Sequence, residues 1–392
     1  MISHTEDPIV ITGMARTPLG GFQGVLAPLT APQLGAAAIE AALERAGLDG
    51  QDIDAAIMGC VLPAGLGQAP TRQAVLGAGL PISTGATTIN KMCGSGLKAV
   101  MMAHDEIQAG SYDIMIAGGM ESMSNAPYLL PKAREGMRMG HGQALDHMFL
   151  DGLEDAYDTG KLMGVFAEGC ASHYHFSRQA QDEFAIASLE RALKADFSGE
   201  IIPVTVKTRK GGEIVAKDEQ PAKATPEKIP LLRPAFAPEG SVTAANASSI
   251  SDGAAALVLM RRSEAEKRGC KILGTIKAHA THAHAPEWFS TAPVGALQKL
   301  CERAGWRIRD VDLFEINEAF AVVTMAAMHD LSLPHDIVNI HGGACALGHP
   351  IGASGARILV TLLAAMEQNN LKRGMATLCI GGGEAVAVAV EC

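Results

Sequence analysis

Cys93, Asn317, His349 and Cys379 are the residues of this 392-residue chain whose settings point to chemistry. Cys93 stands in NKMCGSGLKAV (90–100), at the head of a glycine-rich turn that opens a helical pattern. Gly94, Ser95 and Gly96 offer its sulfur almost no side-chain cover. The free N–H groups of a helix start stabilise negative charge, a thiolate included. On this window alone, a small buried thiol beside a tight turn remains the alternative. NEAFA (317–321) opens a helical pattern with Asn317. GGACALGHPIGASGARIL (342–359) sets His349 between Gly348 and Pro350, just ahead of another helix. CIGGG (379–383) ends a strand with a second cysteine before three glycines. One such turn says little. Four reactive residues at strand or helix ends match what the carboxyl ends of an α/β sheet gather around a ligand.

The elements that must position these residues alternate. IVITGM (9–14), AAIMGC (55–60), DIMIAGG (113–119), VDLFEI (311–316), ATLCIGGG (376–383) and AVAVAV (385–390) read as strands. Helical patterns cover 33–47, 96–110, 317–330 and 354–368. The alternation predicts an α/β architecture with buried, largely parallel strands. A faint repeat runs through it. Ser95-Gly96, a helix and a strand ending in Ala117-Gly118-Gly119 mirror Ser354-Gly355, a helix and a strand ending in Gly381-Gly382-Gly383. Between the halves, about 120–250 loses the alternation and reads as a long excursion with one helix at 178–195. Its basic residues Lys207, Arg209, Lys210, Lys217, Lys223 and Lys228 read singly as solvated charge and together as a possible phosphate receiver.

Bulk composition narrows the function classes. With 48% apolar but only 4% aromatic residues and 43 glycines, the core must pack helix against sheet through small side chains. A net charge of −10 argues against nucleic-acid binding, which needs a basic face. The eight cysteines are scattered, without C-x-x-C or zinc spacing, and read as reduced thiols of a cytosolic protein. The opening MISHTEDPIVITG carries acids into a short strand-like apolar run and reads as no leader, and no ~20-residue apolar span follows. HATHAHAPEW (279–288) holds His279, His282 and His284 without an acidic partner at obvious spacing, so no metal site is expected there or at His173 and His175.

The four blocks, in order, resemble the active-site blocks of the thiolase family, and VTAANASSISDGAAA (242–256) resembles a fifth that lies against coenzyme A. The likeness covers essentially the whole chain. Length and NEAFA resemble the acetyl-CoA acetyltransferase and bacterial 3-ketothiolase branch. The resemblance implies a layered αβαβα fold of two similar α/β core halves with an inserted loop domain. The halves would be 1–119 plus 250–270, and 271–392, with the loop domain at 120–249. It implies acetyl transfer between coenzyme A molecules through an acetyl-Cys93 intermediate, by a ping-pong route. Cys379 would be the general acid and base. His349 and a water held by Asn317 would form one oxyanion hole, and the N–H groups of Cys93 and Gly381 a second. Ser248, Ala244, Phe236, Phe320, Ala319, Met163, Leu162 and Phe289 would line the acyl and pantetheine tunnel, with Lys223 toward the adenine. No cofactor beyond the acyl-CoA substrates, no nucleic acid and no membrane are implied, and the assembly would be a homotetramer. Departures from the family pattern at Leu162, Phe289, His341, Cys345 and Glu384-Ala385 bear on chain length, so a broader 3-ketoacyl-CoA thiolase is the alternative.

Overall fold

The computed structural model describes residues 7–208 and 211–392; the opening residues 1–6, and Arg209 and Lys210, lie outside the described residues. Nine strands make its main sheet. They are β1 (Ile9–Arg16), β2 (Ala55–Gly59), β3 (Gly85–Ile89), β4 (Ile114–Ser122), β5 (Ser251–Arg261), β6 (Gly274–Ala283), β7 (Leu313–Ile316), β8 (Arg373–Ile380) and β9 (Glu384–Glu391). Gly20–Gly21 adds a short tenth strand on β5. The spatial order is β7-β8-β9-β6-β1-β5-β4-β2-β3. Outward from the β1–β6 seam, each half places its first, last, next-to-last and second strands in the same sequence. Val338, bridged to Phe314, stands where β3 stands in the first half. The seam itself is short, Val10 opposite Thr275 and Ile11 opposite Gly274.

The expectation of largely parallel strands is corrected. Only β2–β3, β2–β4 and β7–β8 are parallel. β4–β5, β1–β5, β8–β9, β6–β9 and β1–β6 are antiparallel. The reason is connection length. A three-glycine turn can only make a hairpin of β8 and β9, because a parallel return needs a crossover.

The helices that matter are α1 (Ala31–Ala46), α2 (Pro70–Gly77), α3 (Ser95–Gln108), α4 (Met163–His173), α5 (Arg178–Lys194), α6 (Ala292–Ala304), α7 (Ala321–Leu331) and α8 (Ser354–Gln368). Buried strands sort their residues between two apolar layers. In β9, Val386, Val388 and Val390 pack on α3 and α8, while Ala385, Ala387 and Ala389 pack on α6. In β5, Leu257 and Leu259 face α3 and α8, while Val258 and Met260 face α1. Five layers result, with α3 and α8 in the middle. Both faces of these strands are covered, so AVAVAV shows no polar alternation. None of the helices among the described residues is long and apolar enough to cross a membrane.

The central helices cross at their first turns through glycine. A Cβ on Gly96 would lie 2.7 Å from the Ala356 nitrogen, and one on Gly355 would lie 2.3 Å from the Leu97 nitrogen. This crossing explains the repeated Ser-Gly pair. It also sets the site, since Cys93 precedes α3 by two residues and His349 precedes α8 by five.

Candidate active site

A cavity of about 610 Å³ opens at these helix starts. Cys93, His349, Cys379 and Gly381 all line it. Each is held by its own local geometry.

The Cys93 turn is knotted by hydrogen bonds. Ser95 Oγ accepts from the Lys91 amide at 2.8 Å and donates to the Met92 carbonyl at 2.6 Å. Asn90 Oδ1 accepts from the Met92 amide at 2.9 Å, and Met92 takes a left-handed φ of 47°. The strained residue therefore sits immediately before the nucleophile candidate. Burial pushes the Cys93 thiol up to about 11, opposed by the N–H groups of Gly381 and of Cys93 itself, which hydrogen-bond the sulfur. Those two donors are the N–H groups that the family resemblance assigns to an oxyanion hole; here they meet the sulfur. An ion pair from Lys91 to Glu384 ties this turn to the start of β9.

His349 is buried, and its Nδ1 lies 2.6 Å from Ser354 Oγ. The Ser354 hydroxyl proton is used elsewhere, since Oγ donates to the Pro350 carbonyl at 2.9 Å. Nδ1 is therefore the donor to Oγ, and the neutral ring carries its proton there. Nε2 is left as a bare lone pair, buried and without a protein partner. Burial, with the Arg357 cation, pulls His349 down to about 3, so the ring is neutral through the physiological range. The His349 loop is pinned from the first half. Its amide donates to the Ser249 carbonyl at 3.0 Å, and the Gly352 amide donates to Glu121 at 2.9 Å.

Cys379 is next to last in β8, with its thiol pushed well up by burial and by the charge of Cys93 beside it. In the turn that follows, Gly382 and Gly383 adopt φ of 91° and 82°, which favours glycine. Gly381 does not need to be glycine for the protein's own packing, because a Cβ there would meet Met163 at 3.7 Å, an ordinary contact. Its bareness leaves room on the cavity side.

NEAFA departs from expectation. Asn317 does not open a helix. It extends β7, its amide donating to the Thr377 carbonyl at 3.0 Å, and α7 starts only at Ala321 with Phe320 as its cap. Nor is Asn317 part of the cavity wall. Its Oδ1 lies 3.5 Å from Arg357 Nη2, and its buried Nδ2 donor has no protein partner. The neighbouring Glu318 holds the segment in place, accepting from Ser188 Oγ at 2.7 Å, Asn339 Nδ2 at 2.9 Å and the Cys345 amide at 3.1 Å. On β7, burial raises Glu315 to about 8 despite Arg357.

Most of the rest of the cavity is apolar, although Asp151, Glu154 and Asp155 also stand in its wall. Ala319, Phe320, Ala244, Ser248, Phe236, Phe289, Leu162 and Met163 line it, as the family resemblance implies. The Ser248 amide donates to the Ala319 carbonyl at 2.9 Å, and Ala247 bridges Phe320, so the NASS turn is stitched to NEAFA. Phe320 meets Phe236 and Phe289 edge to face at 6.0 and 6.2 Å. Lys223 is not brought to the cavity. It pairs with Glu219 on its own helical turn and is 63% exposed. Lys207, Lys217 and Lys228 are likewise absent from the lining, which holds no lysine or arginine among the described residues. Sequence reading missed the wall formed by Phe149, Leu150 and Tyr157, and the role of Ser354. The apolar pair Phe149-Leu150 inside an acidic stretch was the available signal for the wall; for Ser354 only the repeated Ser-Gly pair hinted at it.

Comparison with known proteins agrees with this arrangement. Residues 9–263 match the thiolase N-terminal domain and residues 270–392 the thiolase C-terminal domain. The chain is 48% identical over 389 residues to an acetyl-CoA acetyltransferase of Chromobacterium violaceum, covering 98% of this chain and 99% of that one. It is 50% identical over 391 residues to acetyl-CoA acetyltransferase 1 of Arabidopsis thaliana, covering 98% and 94%. It is 50% identical over 388 residues to an acetyl-CoA acetyltransferase of Escherichia coli K12, covering 97% and 98%. Fold, site and full-length likeness lead to one conclusion: the chain belongs to the thiolase family.

Proposed function

We propose that the protein is an acetyl-CoA acetyltransferase, interconverting two acetyl-CoA with acetoacetyl-CoA plus CoA. The observation that carries this reading is the convergence of Cys93, His349, Cys379 and Gly381 on one apolar cavity in a chain with full-length acetyltransferase relatives. In the first half-reaction, the bare Nε2 of His349 takes the Cys93 proton and the sulfur attacks the acetyl carbonyl. The N–H groups of Cys93 and Gly381 receive the oxyanion, and its collapse forms the acetyl-Cys93 thioester as CoA departs with the proton of Cys379, which is left as a thiolate. In the second, the Cys379 thiolate removes the α-proton of a second acetyl-CoA. A thiol whose proton is held this tightly is, once ionised, a base strong enough for a weakly acidic C–H. The enolate oxygen needs donors. His349 Nε2 becomes one when it holds a proton, and Asn317 Nδ2 supplies another through water. The enolate carbon then attacks the acetyl carbon and displaces Cys93 as a thiolate, which takes its proton back from His349 Nε2. Run backwards, Cys379 as a neutral thiol protonates the departing carbanion.

The largely apolar lining, with the carboxylates of Asp151, Glu154 and Asp155 in its wall and no lysine or arginine among the described residues, suits the pantetheine arm and acyl group, with the nucleotide phosphates outside. We further propose the division into two core halves with the 120–249 loop domain between them. The eight unpaired cysteines support the cytosolic setting that we propose. The exposed apolar side chains of Tyr128, Leu130 and Met139 support subunit association, which we propose is a homotetramer. The broader 3-ketoacyl-CoA thiolase remains the second reading, favoured by Phe289 and Leu162 at the acyl end of a roomy apolar cavity. CoA-dependent thiolysis of a 3-oxoacyl-CoA series from four carbons upward, with Cys93→Ala as control, tests both. Activity confined to four carbons supports the first reading, and equal or greater activity on longer chains supports the second. Silence on every chain length refutes the assignment.

A further inference from the structure

The histidine-rich stretch after Gly274 has no part in the site above, yet its first histidine gains an acidic partner that the sequence conceals. His279 lies on β6, in the second half of the sheet, and its Nε2 is 2.8 Å from Oδ1 of Asp105, which is 174 residues away on α3. His104 Nδ1 is 3.0 Å from the same oxygen. The imidazole rings do not stack. Their centroids are 5.1 Å apart with planes crossed at 83°, so each ring turns a nitrogen toward one carboxylate.

We propose that His104, Asp105 and His279 form a binding site for a borderline divalent cation of the zinc, cobalt or nickel class. The three ligand atoms lie within 4.8 Å of one another, and among the described residues no other trio of histidine, cysteine and carboxylate groups is so placed. Bonds of ~2.0–2.1 Å to a tetrahedral ion set ligand atoms roughly 3.3 Å apart, which small side-chain rotations reach from here. Two imidazoles and one carboxylate are a donor set for these metals rather than for calcium or magnesium, which take oxygen. Asp105 remains half open to solvent, which leaves a side for water to complete the coordination. The bound ion would staple α3, the helix that begins behind Cys93, to β6 across the two halves of the fold.

The test uses the full chain, stripped with chelator and titrated with cobalt(II), followed by zinc(II) equilibrium dialysis and thermal unfolding. Wild type is expected to bind one equivalent of cobalt with visible ligand-field bands and no thiolate-to-metal charge-transfer band. Zinc is expected to raise its unfolding midpoint. His279→Gln and Asp105→Asn should each weaken binding at least about tenfold and abolish the thermal shift. Asp105→Asn preserves shape, so it reads the site even where the histidine variant folds poorly. No binding to wild type, unchanged affinity in Asp105→Asn, or a thiolate band placing the metal on cysteine would each overturn the proposal.

Discussion

Ser354→Ala isolates the device that keeps His349 a base. In the wild type, Nδ1–H donates to Ser354 Oγ at 2.6 Å among groups that are almost wholly buried. Removing Oγ strands that N–H, and an unpaired buried donor costs about 1–3 kcal/mol. The ring escapes the cost by moving its proton to Nε2, which faces the cavity. That tautomer cannot accept the Cys93 proton. Restoring the productive tautomer adds the same ~1–3 kcal/mol to the barrier, so kcat should fall roughly 5- to 150-fold. The fold should survive, because the Pro350 carbonyl keeps two backbone donors, Ala353 and Ser354 N–H, at 2.9 Å each. KM for acetyl-CoA should barely move, since Ser354 does not line the cavity. The assay is the rate of CoA release in the acetylation half-reaction, with nitrogen-15 shifts of His349 reporting the tautomer. A kcat within about twofold of wild type, or a tautomer unchanged in the variant, would refute the reasoning.

The same geometry makes further outcomes measurable. Burial holds the Cys93 thiol near about 11, so its alkylation rate in the free enzyme should climb steadily from about pH 7 to 10; a plateau below about pH 8 would mean a preformed thiolate. Because His349 stays neutral down to about 3, kcat/KM should show no acid limb near the ordinary histidine range, and one that moves with His349 substitution contradicts the assigned environment. Asn317→Ala should keep the fold and lose ~2.7–4 kcal/mol of transition-state stabilisation; wild-type turnover would remove Asn317 from the mechanism. Gly355→Ala drives a Cβ to 2.3 Å from the Leu97 backbone, so denaturant unfolding should show a loss of about 1–3 kcal/mol or more, together with lower activity from the displaced helix starts.

Much of the site is legible in the sequence. Cys93, His349 and Cys379 announce themselves because the glycines beside them strip away every role but a backbone-framed one, and such turns occupy few residues. The strands AVAVAV and IVITGM are equally plain, because burial on both faces leaves a continuous apolar run. Strand sense is not. Whether β5 runs parallel or antiparallel to β4 depends on the long path between them, which hydrophobicity does not encode, and the expectation of a largely parallel sheet failed there. Asn317 shows the same limit. Its segment has helical composition, yet Thr377 and Arg357, neither near it in sequence, hold it extended.

What the sequence by itself determined is the set of reactive residues, the family and the repeat of two halves, since these rest on residue types at short spacing. The tertiary structure alone decided which of them meet and in what state. The Gly96–Gly355 crossing brings two helix starts together, and only that proximity lets burial and Arg357 keep His349 neutral. It also left Lys223 on Glu219 and away from the cavity, and set Asp105 beside His279. Local patterns fix what a side chain can do. Long-range packing fixes its neighbours, and protonation, tautomer and ligand sets belong to the neighbours.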